Sequence, residues 1–183
     1  PELWPWLGSP DDRSFDLHRF NAAYFDRLKA LVAHAEQKGL AVLITVHDGW
    51  TKTCFDDHPF NRALGNGQIK EKRHYVSLAD YDREMPDAFD AAWNWRHRNQ
   101  FFQERFCAKL IAELSPFSNV MFEMFNEGEW YDQTNLRAFQ VRFLNFFKAR
   151  TARVTMINDD HIGGSNFRGE NACDVISYHK PNW

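Results

Sequence analysis

The residues best suited to chemistry stand at the end of one apolar run. Val120-Met121-Phe122-Glu123-Met124-Phe125 is followed at once by Asn126-Glu127-Gly128. A carboxylate in that position stands at the carboxyl end of a strand, where parallel sheets and barrels assemble their active sites. Its surroundings are partly dry, and burial favours the protonated form that a general acid needs. The neighbouring amide carries two donors and a carbonyl acceptor, which suits a hydroxyl group. Glu127 is therefore the leading catalytic candidate and Asn126 the leading binding residue. Glu129, beyond the glycine, reads as a solvated or loop-anchoring side chain. Glu123, inside the run, reads as an interior carboxylate or one paired with a base.

A strand that presents Glu127 needs neighbours, and the pattern supplies them. Phe20, Tyr24, Leu28, Leu31, Val32 and Ala35 recur at helical spacing from about Asn21, and Gly39 closes that helix. Leu40 to Val46 reads as a short buried strand, tipped by His47-Asp48-Gly49-Trp50. Helices are expected over about 99–114 and 134–150, and further strands at Val154 to Ile157 and Val175 to Ser177. Residues 1–10 read as loop, and residues 51–98 as a long loop on the substrate side. Alternating helices and short strands imply an α/β domain over residues 1–183 with about four parallel strands, each with polar residues at its carboxyl end.

Composition narrows the ligand. The net charge is −3 and aromatic residues make up 16% of the chain, so neither nucleic acid nor a membrane is an expected partner. A neutral organic ligand fits better. His47, Asp48, Cys54, Asp56, Asp57 and His58 gather metal-ligand types, but their spacing matches no standard zinc or calcium pattern, and no metal is expected. No cofactor is expected either, because the Gly163-Gly164 loop lacks the features of a phosphate-binding turn. Three cysteines, Cys54, Cys107 and Cys173, leave room for one disulfide without requiring it.

The Asn126-Glu127 segment resembles the fourth-strand motif of the clan of retaining glycoside hydrolases with (β/α)8 barrels, which includes cellulase-like enzymes. Other segments agree in order. Asp16-Leu17 with Tyr24 to Leu28 resembles the lead into the second barrel helix, and Leu40 to His47 the third strand. Trp50 and His58-Pro59-Phe60-Asn61 resemble the loop after it, Val154 to Asn158 strand five, and Asp174 to His179 strand six. The resemblance implies an incomplete TIM-type barrel covering about strands three to six. It implies hydrolysis of β-linked glycosidic bonds with Glu127 as general acid/base and Asn126 on the sugar 2-hydroxyl. The clan's nucleophile, a Glu on strand seven, has no counterpart in this sequence.

The same resemblance implies carbohydrate contacts from His47, Asn158, Tyr178 and His179, with Asp159, Asp160 and His161 on a polar rim. Trp50, Trp130 and Trp6 are the candidates for stacking on sugar faces. It favours an extracellular or periplasmic setting, although the sequence shows no signal peptide. The alternative is a non-catalytic carbohydrate-binding or scaffolding half-barrel that self-associates or pairs with another chain through exposed strand edges.

Overall fold

A computed structural model of the chain describes residues 3–9, 14–48, 95–126, 133–159 and 173–177. These residues divide into two compact units. One holds those up to Leu28 and from Trp95 to Phe106, the other those from Lys29 to Asp48 and from Cys107 onward.

The first unit opens with an antiparallel pair, β1 (Trp6–Ser9) and β2 (Ser14–Phe20). This corrects one expectation, since residues 1–10 are not all loop, and it places Asp16-Leu17 in the strand that leads into the next helix. The physical reason is the alternation along β2, which buries Phe15 and Leu17 while His18 stays exposed. Gly8 has φ 123°, a conformation that a side chain would strain, next to a register irregularity between Trp6 and Leu7.

α1 (Ala22–Gln37) follows. The Asn21 side chain caps it by accepting from the Ala23 N–H at 3.1 Å. At its other end Gly39 takes φ 68°, the Leu40 N–H donates to Ala35 O and the Gly39 N–H to Glu36 O. That pair of bonds is a Schellman cap and ends the helix where the glycine predicts.

The second unit contains a four-stranded parallel sheet in chain order: β3 (Val42–Thr45), β4 (Val120–Glu123), β5 (Val154–Asn158) and β6 (Val175–Ser177). α2 (Trp95–Leu114) precedes β4 and starts four residues earlier than the pattern suggests. α3 (Gln133–Lys148) joins β4 to β5. Its buried residues Leu136, Phe139, Gln140, Phe143, Leu144 and Phe147 form one stripe at helical spacing. Phe147 packs on Phe122 of β4 with ring centroids 4.8 Å apart, so the Phe122 face of the sheet is the one α3 covers.

Register assigns the other face. Leu43 pairs with Met121, Met121 with Val154, and Met156 with Val175. Leu43, Val154 and Val175 on this face are 40%, 37% and 40% exposed. The expectation of a buried third strand therefore fails. Among the described residues β3 is an edge strand, and half of its side chains project from a face that no described helix covers.

The amino-terminal ends of the strands are bound together by side chains. Asn119 Nδ2 donates to Leu40 O at 2.8 Å, Ser118 donates through N and Oγ to Glu36 Oε1, and Arg153 Nε donates to Ser115 O. The Asp174 carboxylate accepts from the Thr155 N–H and hydroxyl and pairs with Lys148. Partial burial pushes its pKa up, but the Lys148 and Thr155 bonds together outweigh burial and hold it below its usual value. A depressed carboxylate stabilises the fold above its unfolded pKa, and that contribution is lost as pH falls through the folded value. Asp174→Asn should thus lower the urea midpoint at pH 7 and converge on the parent at a pH below the depressed folded pKa of this carboxylate. An equal gap between the two proteins at both pH values would contradict this account.

Candidate active site at the carboxyl edge of the sheet

The opposite, carboxyl edge of the sheet carries the polar side chains. β4 leaves the ladder after Glu123, yet its tip remains tied to the tip of β3. The Asn126 N–H donates to His47 O at 3.0 Å, and Asp48 and Asn126 form a parallel bridge. Asn126 Nδ2 lies 3.4 Å from Asp48 Oδ1. A carboxylate accepts only, so this contact turns the amide nitrogen toward Asp48 and leaves its second N–H and its carbonyl for another partner. Asn126 is half-buried and Asp48 exposed. The sequence offered no pairing between these two residues, although the polar tip that contains Asp48 was visible.

One row lower, Glu123 is buried on the face of the sheet away from α3 and accepts a hydrogen bond from Thr45 Oγ1 at 2.7 Å. It is an interior carboxylate, one of the two roles its position suggested. The next strand ends at Asn158 and is followed by Asp159, both buried, and the Asp159 N–H donates to Ser177 O at 2.8 Å. Neither amide atom of Asn158 has a hydrogen-bond partner among the described residues. A buried polar group in that condition costs about 1–3 kcal/mol, so it calls for an explanation.

His47 lies elsewhere. Its ring is buried against Phe143 and Phe139 of α3, with centroids 4.6 and 5.0 Å away. The residue thus brings its carbonyl to Asn126 while its imidazole faces the helix. Trp6 belongs to the first unit and is 4% exposed, packed on Phe106 at 5.0 Å. A ring so enclosed offers no face for a sugar, and Trp6 serves as core.

Glu127, Trp50, Trp130, Tyr178, His179, Asp160 and His161 lie outside the described residues, as do Cys54 and all but the last four residues of the expected loop at 51–98. Neither Cys107 nor Cys173 is in a disulfide. Among the described residues no group of three or more His, Cys, Asp or Glu side chains is placed to hold a metal ion, and no helix is long and apolar enough to cross a membrane. The edge therefore joins Asp48 to Asn126 and sets Asn158 and Asp159 beside Ser177. No family model, curated protein or solved structure matches the chain.

Proposed function

We propose that this chain carries the acid/base part of a retaining β-glycosidase site. Glu127 would protonate the leaving oxygen and then take a proton from water, and Asn126 would bind the hydroxyl beside the scissile bond. The observation that carries the reading is Asn126, fixed at the carboxyl end of a parallel strand by His47 O and Asp48. Glu127 is the next residue in the chain.

The barrel is part of the same proposal, on two supports. The strands follow chain order without reversal, as in a singly wound barrel, whereas a doubly wound sheet reverses at a switch point. Toward the amino-terminal ends of the strands this face carries Leu43, Val154 and Val175, apolar and exposed, as part of the inside of an unclosed barrel would be. Closure would bury it.

The mechanism requires a second carboxylate about 5–5.5 Å from Glu127. The test is hydrolysis by the natural protein that carries this sequence, on β-glucan, mannan and aryl β-glycosides, with the product anomer followed by NMR. Retention of configuration is the expected result. Inversion, or no hydrolysis of any of the three, sinks the proposal. The exposed face and the edge strand β3 favour a second reading, a half-barrel that binds carbohydrate after pairing with another chain. It is distinguished by sugar binding without turnover in a protein that sediments as an assembly of more than one chain.

A further inference from the structure

We propose that the Asn158 carboxamide is a second hydroxyl-binding group of the same site, held ready by Gln140, for a pyranose that presents two adjacent hydroxyls. This deepens the glycosidase reading and rests on it. The side chain is 0% exposed, and neither Oδ1 nor Nδ2 has a partner among the described residues. Asn158 lies two residues beyond Met156 and in register with Ser177, so it projects from the face that α3 does not cover. It occupies the last row of β5 before the carboxyl edge at which Asp48 and Asn126 also stand.

Its backbone is clamped from the other side. Gln140 Nε2 donates to Asn158 O at 2.8 Å, and Gln140 Oε1 accepts from the Asn158 N–H at 2.9 Å. The β4–β5 register ends two residues earlier, at Glu123 and Met156, so the glutamine amide stands in for a missing ladder partner. Gln140 is itself fully buried in the apolar stripe of α3. A buried amide in such a stripe is costly unless both ends are bonded, and here both ends bond to one residue. Gln140 is thus a positioning residue, and what it positions is the Asn158 side chain.

An amide that has already lost its water gives up nothing further when a ligand arrives. A hydroxyl that pairs with it relieves a standing penalty. The carboxamide offers a donor and an acceptor in one plane, so its complement offers an acceptor and a donor side by side. Two vicinal sugar hydroxyls do so. A phosphate or carboxylate would satisfy Nδ2 and leave Oδ1 unpaired.

The test uses the natural protein carrying Glu127→Gln, which is to hold substrate uncleaved, with cellotriose and mannotriose as probes in calorimetry. Monodeoxy forms of the tighter trisaccharide are then compared with and without Asn158→Leu. One deoxy form, other than the 2-deoxy form assigned to Asn126, should bind about tenfold more weakly to the Asn158 protein. It should bind the Asn158→Leu protein no more weakly than the parent sugar does. Asn158→Ala gives the same cycle if leucine does not fit. Gln140→Leu should reproduce the affinity loss while the protein remains folded. Losses that are the same for every deoxy sugar with and without Asn158 overturn the proposal and leave a structural amide. Absence of hydrolysis in the parent protein ends the glycosidase reading itself and takes this proposal with it, a failure seen at a different step.

Discussion

Glu127→Gln is expected to lower kcat/KM on natural β-glycosides by roughly 10²–10⁴-fold, the usual worth of a positioned general acid. Glutamine keeps the size of the side chain and one acceptor oxygen but has no proton to release. An alkoxide leaving group needs that proton. A dinitrophenolate does not, because it is a stable anion at neutral pH. On a dinitrophenyl β-glycoside the variant should therefore retain most of its kcat/KM, which reports the first step. Its kcat should still fall, because the second step needs the same carboxyl group to take a proton from water. The predicted signature is a burst of dinitrophenolate followed by slow turnover, with the alkaline limb of the kcat/KM profile lost on natural substrates. Equal losses on both substrates would mean that the substitution damages binding or folding. Unchanged rates would remove Glu127 from the chemistry.

The elements that hold this site were largely legible because their signals are local. Gly39 marked the end of α1, and the structure gives it a positive φ and a Schellman cap. The helix expected over about 134–150 is α3, and Val175 to Ser177 is the last strand among the described residues. The hairpin was missed for a physical reason. Phe20 fits the helical series that runs on through Tyr24 and Leu28, and this obscured the period-two alternation of Phe15 and Leu17. Pro10-Asp11-Asp12 between two apolar segments was the turn signal that would have exposed it.

At the site, residue type was legible and direction was not. His47 and Asn158 both follow apolar runs, and both were read as facing a ligand. The imidazole instead turns to the aromatic side of α3, while Asn158 stays on the face away from α3. The chain bends at Val46 and His47, after β3 has ended, so strand alternation no longer predicts which way a side chain goes. Gln140 carried no signal at all, since a polar residue within a helical stripe is ordinarily read as lying at its margin. Its purpose depends on β4 leaving the ladder at Glu123, which leaves the backbone of Asn158, 18 residues beyond Gln140, to be bonded by the glutamine amide.

Phe143→Ala should be the most destabilising single change among the described core residues around the site, at about 3–5 kcal/mol. Phe143 is fully buried and lies where three partners meet. The His47 ring is 4.6 Å away, Phe139 is 4.8 Å away, and the Arg142 guanidinium sits 4.6 Å from its centroid. Alanine leaves a cavity beneath the tip of β3, and the surrounding side chains are fixed on a helix and a sheet that cannot collapse into it. For a chain of this length the loss corresponds to a fall in Tm of about 6–20 °C. Phe143→Leu separates volume from aromatic character. Leucine fills most of the space but loses the ring and cation contacts, so its cost should be about 1–1.5 kcal/mol. The ranking is read from urea midpoints. A Phe143→Ala protein within about 1 kcal/mol of the parent would show that α3 does not grip the sheet through this residue. The consequence for the site is direct. His47 O holds the Asn126 N–H, and the His47 ring rests on Phe143, so a protein that tolerates the cavity should still bind the trisaccharide probes more weakly than Phe143→Leu does.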